Sequence, residues 1–227
     1  QALMKAFSLC LRAVVLAVSI AAGAAAFFLL PVKFADAAGD DVRYLTAEIV
    51  VMKADAQRIF SPASALSKRH RGGAIARLRG SLAILPLLIR AARDKSPSLT
   101  ATENGRVELI LRALDKNDGA AVIEGLGELA AAYPFDTTGL LPPDNRPAAL
   151  RSAKSLDKAY CASCHEVPDL TAVRPAWNLF KLARTVPPTE LAARLVIGIR
   201  GDRLTGLDNP LRNSEISALI AYYIKVR

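Results

Sequence analysis

The stretch "DKAYCASCHEV", residues 157–167, contains two of the chain's three cysteines and one of its two histidines. Two residues separate Cys161 from Cys164, and His165 follows directly. The rest of the chain nearly avoids both residue types, since only Cys10 and His70 remain. Their concentration in one short segment indicates that these three side chains act together.

Cys-x-x-Cys-His is the spacing that attaches haem covalently. The two thiols add across the two vinyl groups of the porphyrin, and the imidazole of the next residue reaches the iron. The motif therefore predicts one haem c bound through Cys161 and Cys164, with His165 as the proximal iron ligand.

The same motif is also compatible with a dithiol redox pair, with half of a zinc site, and with coincidence. A thioredoxin-type pair is expected to follow a strand in a parallel sheet, and the sequence predicts no strand there. A zinc site needs two further ligands, and only Cys10 and His70 remain to supply them.

The first 37 residues are typical of an export signal. Lys5 and Arg12 precede an uncharged run at residues 13–32, and Ala35-Asp36-Ala37 fits a signal peptidase site. An uncleaved membrane anchor is the alternative, because an apolar run of this length spans a bilayer. Either interpretation predicts a location in the periplasm or on the outer face of the cytoplasmic membrane.

The charge of the chain is positive but spread out. It has 30 Lys and Arg against 21 Asp and Glu, a formal net charge of +9. This balance suits docking to an acidic protein or a membrane surface. No basic helix interleaved with aromatic residues is present in the sequence, so we do not expect nucleic-acid binding.

Hydrophobic spacing predicts an all-α protein with no sheet. Helical stripes run from Val42 to Ile59, around Ile75 to Ile89, from Val107 to Leu114 and from Val122 to Tyr133. Pro86 is expected to kink or interrupt the second stripe. Thr100 and Glu103 have capping-box spacing ahead of the third stripe, and Asn117-Asp118 precedes the fourth.

A proline-rich stretch over 134–147 predicts a domain boundary. The expected organisation is a signal or anchor at 1–37, a helical domain of unknown role at 38–133, this linker, and a C-terminal domain at 148–227. In the last part, helices are expected at about 148–165, around 176–183, after Pro187-Pro188 and from about 213 to 226.

The C-terminal third resembles the class I c-type cytochromes. The segment "AAYP…ALRSAKSLDKAYCASCHE" is similar to their helix leading into the motif, and "NSEISALIAYYIKVR" is similar to their last helix, which packs across the first. The resemblance implies that the carbonyl of Pro175 accepts from the axial imidazole. It does not extend to residues 41–133.

The chain departs from that family at the second iron ligand. A methionine is usual in the loop before the last helix, but here the loop reads "GIRGDRLTGLDNPLRN", with Leu204 and Leu207 about where it is expected. The remaining candidates are Met52, which also fits core packing, and His70, which also fits a solvated basic turn. We expect either a five-coordinate iron or a weak, displaceable ligand.

Three further side chains are candidates for contact with the haem. Arg200 and Arg203 lie in the same loop and can pair with the propionates, and Trp177 offers an indole N–H. The alternative for either arginine is an exposed side chain with no fixed partner.

Two functions follow from these residues. The first is one-electron transfer between redox partners, which requires no catalytic residue. The second is a sensor or enzyme whose open iron binds a small gas or a peroxide. For the second, no acid–base pair can be assigned to the pocket.

Overall fold

The computed structural model describes residues 38–95, 103–198 and 209–225, and every regular element within them is helical. The all-α prediction is therefore confirmed. The described residues form one compact unit. The predicted leader at 1–37 lies outside the described residues, as do Thr100 and the loop positions Arg200, Arg203, Leu204 and Leu207.

Four helices make up the first half: α1 (Ala38–Phe60), α2 (Lys68–Lys95), α3 (Glu103–Asp115) and α4 (Gly119–Ala132). The predicted apolar stripes become a shared core, which we call the first core. Its fully buried members include Leu45, Ile49, Met52, Leu82, Leu126 and Leu129.

Local sequence sets where these helices begin and end. Pro62 disfavours helical backbone at Ser61, and α1 ends at Phe60. The Ser67 Oγ accepts from the His70 backbone N–H at 3.2 Å and caps the start of α2. Asp118 Oδ1 accepts from the Ala121 N–H at 3.1 Å and caps α4 in the same way.

Helix α2 starts earlier than predicted and includes Gly72 and Gly73. Of the two effects predicted for Pro86, the interruption is wrong, because the helix continues through the proline, and the kink stays a prediction. Tertiary packing explains the continuity, because Leu82, Leu85 and Ile89 on either side of the proline are buried in the first core. His70 accordingly lies in the first turn of a helix and not in a solvated turn.

By length and composition, α2 is also apolar enough to span a membrane. The most apolar 18-residue window of this helix has a mean hydropathy of 1.4, and 33% of that window is buried inside the protein.

The second half contains α5 (Pro147–Leu156), a π-helical turn (Asp157–Cys161), α6 (Ala162–His165), α7 (Leu179–Ala183), α8 (Pro188–Gly198) and α9 (Asn213–Lys225). Helix α9 packs across α5 and also contacts α7 and α8. Their apolar side chains form a second core. Its members include Ala153, Cys161, Leu191, Leu219 and Tyr223.

Helix α1 contributes to both cores. Leu45, Ile49 and Met52 point into the first core, whereas Ala47 and Val51 pack in the second. Apart from this shared helix, the division between the cores coincides with the predicted boundary at 134–147. Independent folding of the two parts stays a prediction.

The stretch at 134–147 is packed against the second half. Leu140 is fully buried in the second core, and the Asp144 N–H donates to Ser217 Oγ at 2.9 Å. Gly139 has a φ of 76°, which an L side chain rarely adopts, and it faces Asn213. This stretch therefore follows the surface of the C-terminal helices.

Candidate functional site

The motif is carried by consecutive helical turns, α5, the π-helical turn and α6. A π turn adds a residue to the helical repeat and is frequent at functional sites. Here it contains Tyr160, which is exposed, and Cys161, which is 4% exposed and belongs to the second core. Cys164 is exposed, and the two thiols are free. One thiol therefore lies at the edge of the core and the other at the surface.

The imidazole of His165 is held by a backbone carbonyl. Its Nδ1 lies 2.5 Å from the carbonyl oxygen of Trp177. Because a carbonyl only accepts, Nδ1 must carry the proton, and the lone pair of Nε2 is left to bind a metal. This contact fixes both the tautomer and the orientation of the ring.

The acceptor is not the residue that the resemblance implied. We expected the carbonyl of Pro175, but the carbonyl of Trp177, two residues later, takes that position. The reason lies in the next residue. Asn178 caps α7 by accepting from the Lys181 N–H at 3.0 Å, and its Nδ2 donates to the Glu166 carbonyl at 3.0 Å. These bonds bring residues 177–178 alongside the motif.

Large apolar side chains remain exposed in the segment that contains the motif. They are Tyr160 at 54%, Val167 at 84%, Leu170 at 73%, Val173 at 52% and Trp177 at 44% exposed. Exposed apolar side chains in one segment are candidates for contact with a ligand or a partner.

The environment of Cys161 does not activate its thiol. Burial raises the pKa of the Cys161 thiol and the nearby charge of Asp157 raises it further, although a hydrogen bond with Tyr223 opposes them. Dithiol redox pairs work in the opposite way, with a cysteine of lowered pKa. The raised pKa of Cys161 thus gives this thiol no activation toward dithiol exchange.

Aromatic side chains fix the last helix beneath the motif. The Tyr223 hydroxyl donates to Asp157 Oδ1 at 2.6 Å, and burial together with this bond raises the pKa of Tyr223 well above its usual value. The Phe180 ring lies 5.1 Å from Tyr223 and 5.5 Å from Tyr222, both edge to face. These contacts join α7, α9 and the π turn.

The two candidates for the second iron ligand lie in different surroundings, one in the first core and one beside the loop that follows the motif. Met52 is 1% exposed and packs in the first core, whereas Cys161 belongs to the second. His70 Nε2 lies 3.3 Å from the carbonyl oxygen of Leu170. This contact places the start of α2 against the loop that follows the motif.

A glycine makes that approach possible. A Cβ added at Gly73 would lie 2.6 Å from the backbone oxygen of Val173. A larger residue would force the start of α2 away from this loop. Sequence reasoning did not identify this role, because a glycine inside a helix gives no sign of which backbone it meets.

A charge network missed by sequence reasoning joins α1, α2 and α8. Arg194 pairs with Asp55 at 2.5 Å and with Glu190 at 2.8 Å, Arg58 pairs with Glu190 at 2.7 Å, and Arg77 pairs with Asp55 at 2.7 Å. The guanidinium carbon of Arg58 lies 5.8 Å from the centre of the Trp177 ring. The network thus reaches the residue whose carbonyl holds His165.

Only two ion pairs of this network have a recognisable spacing in the sequence. Asp55 with Arg58, and Glu190 with Arg194, have the spacing of helical ion pairs. Such pairs usually lie on solvated faces. The pairing between distant helices could not be read from spacing.

Comparison with known proteins finds no family model, no curated protein and no solved structure that matches this chain. Within residues 38–95, 103–198 and 209–225, no three His, Cys, Asp or Glu side chains are grouped to hold a metal ion. The function is therefore inferred from the geometry of the motif.

The two thiols should differ in reactivity in the haem-free protein. At pH 8 we expect Cys164 to react with iodoacetamide at least about tenfold faster than Cys161, because Cys161 is buried and its raised pKa lowers its thiolate fraction. The rate at Cys161 should rise with pH beyond the range of an ordinary thiol. Peptide mass spectrometry measures each cysteine separately.

Unfolding the protein in urea provides the control, since the two rates should then converge. Faster modification of Cys161 than of Cys164 in the folded protein would indicate an activated dithiol and would contradict this account.

Proposed function

We propose that residues 148–227 form a c-type cytochrome domain that carries one covalent haem and transfers single electrons between redox partners. The observation that carries the proposal is the hydrogen bond from His165 Nδ1 to the Trp177 carbonyl, beside two free thiols at the attachment spacing. An imidazole held through Nδ1 is the arrangement used by histidines that bind a metal through Nε2.

The residues of the site fit a haem group. Cys161 and Cys164 supply the two thiols for thioether bonds, and Nε2 of His165 supplies the axial nitrogen. The exposed apolar side chains around the motif match the apolar faces of a porphyrin. When bound, haem supplies the one-electron chemistry, while the protein sets its ligation, burial and docking surface.

The location is part of the same proposal. Haem is attached to such motifs outside the cytoplasm, where two unpartnered thiols would otherwise tend to form a disulfide. The export signal predicted at 1–37 agrees with this location. We infer a place in the periplasm or on the outer face of the cytoplasmic membrane, with redox proteins as partners.

The positive charge suits partners with acidic surfaces. The chain has a formal net charge of +9. Opposite charge on a partner would accelerate association and would make the rate fall as the salt concentration rises.

Covalent attachment can be tested by intact mass. After production in a host that matures c-type cytochromes, the denatured protein should be heavier by one haem. The double variant Cys161→Ala/Cys164→Ala should lose the increase, because no thioether can form, whereas Cys10→Ala should retain it. An unchanged mass for the parent protein would refute the proposal.

A second candidate function is the binding of a small gas or a peroxide at an open iron. The observation that favours it is the burial of Met52 in the first core, since the chain's only other methionine is Met4. His70, the second imidazole of the chain, contacts the Leu170 carbonyl instead.

Binding of carbon monoxide to the reduced protein distinguishes the two proposed functions. If no strong ligand occupies the far side of the iron, the reduced protein should bind carbon monoxide at once, with a shift of its absorption bands. His70→Ala and Met52→Leu should then leave the oxidised spectrum unchanged. Indifference to carbon monoxide, or a methionine–iron charge-transfer band, would favour the simple electron carrier and a role for Met52.

A further inference from the structure

The guanidinium of Arg58 and the imidazole of His165 both contact one residue, Trp177. Arg58 lies over the indole ring, at 5.8 Å from its centre, and the backbone carbonyl of the same tryptophan accepts from His165 Nδ1. Arg58 belongs to α1, which lies outside the segment that resembles a cytochrome. Arg58, a residue of the first half, is thus linked through Trp177 to the proposed iron ligand.

Arg58 is held firmly in this position. Its Nη2 donates to Glu190 Oε1 at 2.7 Å, and Glu190 also accepts from Arg194 Nε at 2.8 Å. The side chains of Glu190 and Arg194 are each 10% exposed. A carboxylate fixed by a second arginine leaves Arg58 little freedom to move.

The cation is also partly removed from water. Among the residues that the structure describes, buried Arg58 Nη1 has no hydrogen-bond partner, although it lies 3.8 Å from Asp55 Oδ1. A cation attracts the face of an indole ring more strongly when it is desolvated. The interaction therefore contributes to holding the plane of the Trp177 ring.

From this geometry we propose that Arg58 is a positioning residue for the axial imidazole. Arg58 fixes Trp177, and Trp177 presents the carbonyl that sets the tautomer and angle of His165. The inference rests on the proposed function of His165 as the iron ligand. It assigns a role to the first half of the chain. Arg58 of α1, held by Glu190 of α8, fixes Trp177, and the carbonyl of Trp177 orients His165.

The first test measures the stack between Arg58 and Trp177 without haem. Trp177 is the only tryptophan of the chain, so tryptophan fluorescence reports the surroundings of this one residue. In the haem-free full-length chain, Arg58→Met should make acrylamide quench Trp177 more strongly. Arg112→Met is the matched control, because Arg112 pairs on the surface with Glu108 at 3.7 Å and should change nothing.

The second test measures how well the Nδ1–H of His165 is protected from exchange in the haem-loaded, reduced protein under carbon monoxide. Hydrogen exchange of the His165 Nδ1–H, followed by NMR, should become about three- to thirtyfold faster in Arg58→Met, as expected for loss of a desolvated cation–π contact. Arg58→Lys keeps the cation and should remain closer to the parent. Glu190→Gln provides an independent variant, because it releases Arg58 without removing it and should also accelerate exchange.

The outcomes separate this inference from the proposed function. If haem is not attached, the proposed function fails, and the quenching experiment still tests the stack. If haem is attached and exchange is unchanged in both Arg58→Met and Glu190→Gln, the role of Arg58 is refuted. Equal acceleration in Arg112→Met would also refute it, since the effect would then be a general loosening.

Discussion

The structure depends on one helix whose opposite faces are both buried. Leu45, Ile49 and Met52 of α1 close the first core, while Ala47 and Val51 close the second. Each core therefore includes side chains of this helix. Small residues on the second face allow α8 to approach, and the carboxylate of Asp55 on α1 then meets Arg194 of α8.

The charge network follows from this close approach. Removing one partner of a buried ion pair leaves the other uncompensated, which costs about 3–5 kcal/mol, whereas an exposed pair contributes at most about 1 kcal/mol. Asp55 and Glu190, with side chains 16% and 10% exposed, lie between these two limits and constrain the relative position of α1 and α8. Arg58 extends that constraint to Trp177, and through its carbonyl to His165.

The helices were predictable because their signals are local. Apolar residues at helical spacing, such as Val107, Ile110 and Leu114, indicate which face of a helix is buried. Asp118 indicates a helix start because its own side chain caps the helix. The haem site could be proposed for the same reason, since Cys161, Cys164 and His165 lie close together in sequence and their spacing is the local signal on which the proposal rests.

Other features depend on what lies across the fold, and sequence gives little sign of them. Pro86 stays inside α2 because packing on both sides outweighs its local cost. The imidazole meets the carbonyl of Trp177 and not of Pro175 because Asn178 fixes the register of that loop. The role of Gly73 depends on its contact with Val173, and that of Arg58 on its contact with Trp177. Both partners are far away in sequence.

If the motif binds haem through two thioether bonds, one absorption spectrum will show it. The full-length protein, matured and then extracted with acidified acetone, should be dissolved in alkaline pyridine and reduced. The account predicts that the pigment stays with the polypeptide and that its α band has the position given by haem with both vinyl groups saturated. Pigment extracted into the acetone, or a band of haem with free vinyl groups, would contradict it.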